Sequence, residues 1–212
     1  MLTDRSRTAI AIARFGRTRL SRASLACSGL AIAVALTSTP ARAQFSESFQ
    51  GNATPTFGSA TVTTGPNSTT VTVNSPSAVI DWVPFDTAVS PLAINWQPTG
   101  TNATFTGAAN YAVLNRIIPV DPTRAIVFDG IVNSLVGGSP GGTVFFFSPG
   151  GIVLSVNSQF NVGNLGLTSA APLVDGSGNW YVGNQVQFQA SDPGRMVNTL
   201  AGSQITAPAE GS

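Results

Sequence analysis

The chain has 212 residues, 42% of them hydrophobic, which is enough to form the core of one domain. Only 9% are charged, far below the usual quarter, and the sequence contains neither histidine nor lysine. These absences exclude a Ser-His-Asp triad, a lysine Schiff base, a P-loop lysine and a histidine-ligated metal. The abundance of glycine (22) and proline (14) is typical of strands joined by tight turns.

The first 43 residues have the organisation of a secretory signal peptide. Six arginines occupy residues 1–22, an apolar run follows at 25–36, and Ala41 and Ala43 are the small residues of a cleavage site before Gln44. The apolar run of 12 residues is too short for a permanent membrane anchor. An organellar transit peptide is the competing interpretation, which the defined apolar run disfavours. We therefore predict export by the Sec machinery and cleavage after Ala43.

Cleavage at this site changes the charge of the chain. Seven of the ten arginines lie in residues 1–42, so three arginines and eight acids remain and the net charge becomes −5. Such a chain has no basic patch to neutralise phosphates, and we predict that it does not bind nucleic acid. The only cysteine, Cys27, is removed with the leader, so stability after export depends on packing and backbone pairing without disulfides.

After residue 44 the sequence alternates short β-branched or aromatic runs with Gly, Pro, Asn and Ser, which predicts short strands. In chain order, the predicted strands are Thr69–Val73, Val79–Val83, Ala93–Trp96, Thr104–Thr106, Ala112–Ile117, Ile126–Phe128, Gly130–Val132, Thr143–Phe147, Ile152–Val156, Gln159–Val162, Leu165–Thr168, Trp180–Val182 and Val186–Gln189. Two architectures are compatible with this series: a sandwich of antiparallel strands and a solenoid of stacked short strands. Nearly continuous apolar runs, with Asn and Gly at the bends, favour the solenoid.

Four segments are more specific than composition. They read VIDWVPFDTA from Val79, AVLNRI from Ala112, GGTVFFFSPGGIVLSV from Gly141 and NVGNLGLTS from Asn161. In order and spacing they resemble the INWQSF, VLNRV, VFLINPNGI and VDVGGLVAST segments in the secretion domain of two-partner secretion exoproteins, the filamentous haemagglutinin-like family. One segment departs from the family pattern, because Asn-Pro-Asn-Gly is replaced by Ser-Pro-Gly-Gly at 148–151.

The resemblance implies an all-β fold, a right-handed parallel β-helix with an N-terminal β cap. We then expect a signal peptide at 1–43, the cap at 44–75 and the β-helix at 76–212, where the sequence ends like a truncated coil. The family domain is recognised in the periplasm by the POTRA-type modules of an outer-membrane transporter. It is secreted or displayed on the cell surface, and it seeds the folding of a longer adhesin or toxin carrier. The resemblance implies no catalysis, cofactor or metal, and it adds a host-cell or glycan surface as a partner.

Candidate recognition residues follow from the same resemblance. They correspond to the family's Asn-Arg pair and to its Asn-Pro-Asn-Gly turn, and the competing interpretation of each is purely structural. For the turn, we predict type II geometry with Pro149 in the second position, a positive φ at Gly150 and a local hydrogen bond accepted by Ser148. The candidates for transporter recognition are Asn115, Arg116, Ser148, Pro149, Gly150 and Gly151.

Two other functions remain open on the sequence. A parallel β-helix can carry a polysaccharide lyase or hydrolase, and Asp121 and Asp129, on either side of Arg124, are the candidate carboxylates, although both lie in common turn pairs. A stand-alone adhesive surface protein is the second alternative. Aromatic side chains would then stack on sugars, whereas aromatics bracketed by Val or Ile are more often core. The aromatic residues concerned are Trp82, Trp96, Trp180 and Tyr181.

Overall fold

The structure, a computed structural model, is all-β in the part of the chain that it describes, and no helix occurs there. The predicted signal peptide and its cleavage residues Ala41, Ala43 and Gln44 lie outside the described residues. The described residues are 45–85, 88–90, 92–175, 177, 179–182, 185–189 and 195–207.

The strands belong to three sheets. In spatial order, the first sheet contains β1 (Gly51–Phe57), β4 (Ser77–Pro84), β8 (Ala112–Ile117), β12 (Thr143–Phe147) and β15 (Asn164–Thr168). The second contains β2 (Ala60–Gly65), β3 (Ser68–Val73), β7 (Asn102–Gly107), β10 (Ile131–Val136), β14 (Gln159–Asn161) and β17 (Gln204–Thr206), with β11 (Ser139–Pro140) paired to β10. The third contains β5 (Ala88–Ser90), β6 (Ala93–Gln97), β9 (Ala125–Phe128), β13 (Ile152–Leu154) and β16 (Val197–Thr199).

The sheets are mostly parallel because the chain visits them in rotation. Strands β7, β8 and β9 lie in the second, first and third sheets, and β10, β12 and β13 repeat that order, as do β14, β15 and β16. Strands of successive passes pair in register, so that Ile80 of β4, Asn115 of β8 and Phe146 of β12 are direct neighbours. Parallel pairing of this kind does not fit the antiparallel sandwich that the sequence left open.

The first strands pair differently from the later ones. β1 is antiparallel to β4 and β2 is antiparallel to β3, whereas β3 is parallel to β7 and so begins the parallel part of the second sheet. The β2–β3 hairpin turns at Pro66 and Asn67. Asn67 has a φ of 54°, a left-handed conformation that asparagine tolerates after a proline with preset φ. The antiparallel strands β1 to β3 fall within the range predicted as a cap.

The strand predictions were accurate where β-branched runs are bounded by turns. The bounds of β8 and β12 are those predicted, and most other strands differ by one to a few residues. The predicted strands Trp180–Val182 and Val186–Gln189 were wrong, because only isolated bridges form there. Trp180, with the half-buried Tyr181 and Val186, packs on the outer face of the first sheet without joining a ladder, whereas Val182 and Phe188 are exposed.

The main core is formed by side chains from all three sheets, and its centre is aromatic. Phe105 of β7, Phe128 of β9 and Phe146 of β12 are all fully buried. The ring of Phe146 lies 5.9 Å from that of Phe105 and 4.9 Å from that of Phe128, in edge-to-face arrangements. Such edge-to-face contacts add to the stability gained from area burial alone.

A second apolar cluster covers the outer face of the first sheet. The ring of Trp180 lies 5.4 Å from that of Phe145, and its indole N–H donates to the carbonyl oxygen of Ala78 at 3.2 Å. As a result β8 is covered on both faces, and Val113 and Leu114, which point in opposite directions, are both fully buried. Strands covered on both faces have near-continuous apolar sequences, which explains the composition of β8.

Candidate functional site

Asn115 belongs to the core. It lies between Ile80 and Phe146 in the first sheet and is fully buried. Its Oδ1 accepts a hydrogen bond from the indole N–H of Trp82 at 3.0 Å, and its Nδ2 donates to the carbonyl oxygen of Phe145 at 3.1 Å. The side chain therefore joins β4 to β12 across β8 and satisfies the polar groups that it buries.

Arg116, the next residue, faces the opposite way and is partly exposed. Its guanidinium donates two hydrogen bonds to the carboxylate of Asp81, Nε to Oδ1 at 2.6 Å and an Nη atom to Oδ2 at 2.7 Å. The two side chains are 30% and 29% exposed, and the residues are direct neighbours across β4 and β8. This planar two-bond geometry fixes the guanidinium at a surface that a partner can reach.

Residues 148–151 form a tight turn that differs from the prediction. The amide of Gly151 donates to the carbonyl oxygen of Ser148 at 3.1 Å, which closes a four-residue turn. The positive φ, 96°, belongs to Gly151, whereas Gly150 has no positive φ. The predicted type II geometry was therefore wrong, because the left-handed residue occupies the fourth position of the turn and not the third.

The two glycines of this turn are required by neighbouring backbone. A Cβ atom on Gly150 would overlap the carbonyl group of Arg124, and one on Gly151 would lie 2.6 Å from the carbonyl oxygen of Met196. Residues 124 and 196 belong to the turns of the passes before and after, so the three turns are stacked closely. Glycine at 150 is needed for this close approach, which sequence reasoning did not foresee.

The hydroxyl of Ser148 does not act as the sequence predicts. The residue is fully buried, and its Oγ has no hydrogen-bond partner within the described part of the structure. Its backbone makes the local bonds instead, because its carbonyl accepts from Gly151 and its amide donates to the carbonyl oxygen of Thr168 at 3.1 Å. Pro149 and Gly150 are the half-exposed members of the turn.

The structure brings the two predicted groups of residues together. Arg116 is the register neighbour of Phe147, and the turn begins at the next residue after Phe147. Adjacent strands lie about 4.8 Å apart, so the ion pair and the turn share one corner of the first sheet. Two exposed apolar residues that were not predicted, Val83 (50%) and Ile118 (43%), extend this surface beyond Trp82 and Ile117.

Asp81 could have been found from the sequence. When the segments VIDW and LNRI are compared position by position, Asp81 falls opposite Arg116 and both fall on the outward side of the alternation. The buried partner of Asn115 is harder to find, because Trp82 and Asn115 are not in register and their contact depends on side-chain length.

The candidate carboxylates do not form a site. Asp121 and Asp129 lie on opposite sides of β9, a strand of four residues, and each carboxylate has its own hydrogen-bond partners. Asp121 accepts hydrogen bonds from the hydroxyl and the amide of Thr123, which lower the pKa of its carboxyl. Asp129 accepts from the hydroxyl of Thr99 and from the side-chain amide of Asn157 at 3.1 Å. Asp121 therefore stabilises its own turn, whereas Asp129 links its turn to the turns at Thr99 and Asn157.

The aromatic residues considered as a sugar platform belong mostly to the two cores. Trp82, Trp96 and Trp180 are each at most 2% exposed, which confirms the prediction that they are core residues. Tyr181 is half-buried beside Trp180, with its ring 5.3 Å away.

Comparison of the chain with protein-family models, with curated proteins and with solved structures returned no match. The described residues contain no helix that could span a membrane. Among those residues, acidic side chains do not gather into a group of three that could hold a metal ion. The family membership therefore stays a prediction from the four sequence segments.

Proposed function

We propose that this chain is the secretion-targeting domain of a filamentous haemagglutinin-like exoprotein, folded as a right-handed parallel β-helix. The observation that carries the proposal is the position of the four family-like segments. They fall on β4, β8, β12 and β15, which are successive neighbours in the first sheet. A solenoid stacks the corresponding strands of successive coils, so four segments in chain order on successive neighbours of one sheet support this architecture.

The antiparallel strands at the beginning support the N-terminal β cap. β1 lies at the edge of the first sheet beyond β4, and β2 lies at the edge of the second sheet beyond β3. Antiparallel strands added at these edges cover the unpaired backbone groups of the first parallel strands. We therefore assign the cap to 44–75 and the β-helix to 76–212.

In this function the chain is exported by the Sec machinery and bound in the periplasm by the POTRA-type modules of a dedicated outer-membrane transporter. It then reaches the medium or the cell surface, where it seeds folding of an adhesin or a toxin carrier. The surface around Arg116 and residues 148–151 is the proposed recognition surface, since it combines a fixed guanidinium with the exposed apolar side chains of Val83 and Ile118. No catalytic step is part of this function.

The first test follows the chain through the cell. Residues 44–212, expressed with the leader, are detected by immunoblot in periplasm and medium, with the transporter encoded nearby present or deleted. We expect the protein in the medium only when the transporter is present, and in the periplasm otherwise. Equal amounts in the medium with and without the transporter would refute the proposed function.

A charge-swapped pair tests the recognition surface. The double substitution Asp81→Arg with Arg116→Asp keeps the ion pair but reverses its direction on the surface. We expect the secreted fraction to fall about tenfold, equivalent to about 1.4 kcal/mol of binding, while stability to urea stays close to that of the parent. Unchanged secretion of the swapped variant would remove the residues from the recognition surface but leave the secretion function in place.

Adhesion to a glycan is a second candidate, supported by a cleft beside the second apolar cluster. The cleft has a volume of about 470 Å³, and its lining combines carboxylate and amide side chains with apolar residues that include Trp180 and Leu173. In ligand-binding clefts, a few polar groups among apolar residues orient the ligand. The polar lining residues are Asp175, Asn179, Gln185 and Gln187.

This second function is tested on a glycan array with purified residues 44–212. We expect binding that Gln187→Ala lowers and that the distant control Asn133→Ala leaves unchanged. Absence of binding to any glycan at the highest protein concentration would refute the adhesive function.

A further inference from the structure

The segment 45–50 enters the core without joining a sheet. It precedes β1, has no strand structure, and is buried from Glu47 to Gln50. The side chains of Ser48 and Phe49 are fully buried. We call residues 45–50 the N-terminal plug. This is unusual for a chain segment outside the ladders, because buried backbone normally finds its hydrogen bonds within them.

Phe49 is the centre of the aromatic core. Its ring stacks on Trp96 with centroids 4.1 Å apart and an interplanar angle of 6°. It also meets the edges of Trp82 at 5.4 Å, Phe146 at 6.0 Å and Phe128 at 6.4 Å. These partners lie on β4, β6, β9 and β12, strands of the first and third sheets. A side chain from outside the sheets thus completes the packing between them.

Buried polar groups of the strands also depend on the plug. The hydroxyl of Thr69 accepts hydrogen bonds from the amides of Ser48 at 3.0 Å and Phe49 at 3.1 Å. The hydroxyl of Ser48 bonds to that of Thr101 at 3.1 Å and accepts from the side-chain amide of Gln97 at 3.2 Å. Thr69, Gln97 and Thr101 are at most 1% exposed. Without the plug these groups need water as a replacement partner.

The attachments of the plug can be broken without opening a ladder. Apart from the bonds to Thr69, its backbone bonds are few: the amide of Gln50 donates to the carbonyl of Trp96 at 2.8 Å, and its carbonyl accepts from Phe85 at 2.9 Å. Phe45 is held by Asn67 at the tip of the β2–β3 hairpin. None of these bonds lies between two paired strands.

We propose that the N-terminal plug is a conformational latch, which leaves and re-enters the core as one unit while the three sheets stay paired. In the open state the aromatic core around Trp96 and the hydroxyls of Thr69 and Thr101 are exposed to water. In the closed state Phe49 seals the core. This inference goes beyond the proposed function and holds whether or not the domain is secreted.

The test uses thiol labelling in residues 44–212, a chain without cysteine. Ser48→Cys places a thiol in the plug, and Ser158→Cys is the matched control, since Ser158 is also fully buried but immediately precedes β14, a strand that is paired on both sides. Buried thiols react only when the structure opens. We expect the thiol of Ser48→Cys to react with an aromatic disulfide reagent at least about tenfold faster, with little dependence on urea, because a local opening exposes little surface.

Hydrogen exchange of the unsubstituted chain is the control for any change that the introduced cysteine makes to the structure. We expect the amides of Ser48 and Phe49 to exchange through an opening of lower free energy than the amides of β8 and β12. Where the two measurements differ, exchange decides, because it needs no substitution. Exchange of the plug amides only at the free energy of global unfolding overturns the proposal.

Discussion

Removing the side-chain amide of Asn115 provides the sharpest test of the first sheet. Asn115→Ala deletes the acceptor of the Trp82 indole N–H and the donor to the Phe145 carbonyl. Trp82 is 1% exposed, so water cannot replace the lost acceptor without opening the core. The substitution thus leaves the buried indole N–H of Trp82 without an acceptor.

The expected loss follows from the burial of these groups. A buried donor left without a partner costs about 1–3 kcal/mol, and the small cavity left by the amide adds about 1 kcal/mol. We expect Asn115→Ala to lower the free energy of unfolding by about 2–4 kcal/mol, a large share of the 5–15 kcal/mol that is usual for one domain.

Urea unfolding of residues 44–212, followed by the fluorescence of Trp96 and Trp180, measures this loss. In a Trp82→Phe background the stranded donor is absent, so the cost of Asn115→Ala should shrink by about 1–2 kcal/mol in a double-mutant cycle. The control is Asn133→Ala, which removes an amide from the outer ladder of half-buried and exposed side chains and should cost less than about 1 kcal/mol. Equal losses for the two alanine variants, with no coupling to Trp82→Phe, would refute the assigned role of Asn115.

Three further predictions concern charge and close packing. Burial raises the pKa of the Glu47 carboxyl above its ordinary value of 4.5, so the charged carboxylate destabilises the fold at neutral pH. Glu47→Gln should therefore be more stable than the parent at pH 7 and equally stable at a pH below the ordinary pKa of a glutamate, which urea unfolding at the two pH values checks. Gly150→Ala forces a Cβ against the carbonyl of Arg124 and should cost about 1–3 kcal/mol, and an unchanged urea midpoint would contradict the stacked turns. Arg116→Ala removes a half-exposed ion pair with Asp81 and should cost no more than about 1 kcal/mol, a loss that shrinks as salt is added in the same assay.

The elements that could be predicted are those specified by local sequence. The alternating and β-branched runs of β8 and β12 are bounded by Gly, Pro or Asn, and their bounds were predicted correctly. The burial of the tryptophans also followed, since apolar neighbours in a strand place an aromatic ring against a core. The strand prediction at Trp180–Val182 was wrong for the same reason, because an apolar segment that packs against a sheet has the same local sequence pattern as a strand of that sheet.

The candidate site was only half predictable. Residues 115, 116 and 148–151 do lie at one corner of the first sheet, as a shared strand position implies. Their roles differ because neighbours distant in sequence decide them: Trp82 buries Asn115, and Asp81 orients Arg116. The plug residue Phe49 gave no local signal, since it lies in a short segment with neither strand nor helix periodicity.

The sequence alone determined that the chain is poor in charge and that its described part is all-β, built from short strands between tight turns, because those properties depend on composition and on the alternation of neighbouring residues. The tertiary structure decided which strands pair, that β8 is covered on both faces, and which glycine of the turn has the positive φ. These depend on contacts between residues far apart in the chain, such as Trp180 with Ala78, 102 positions away. Such contacts arise only when distant parts of the chain pack together, and no window of neighbouring residues contains them.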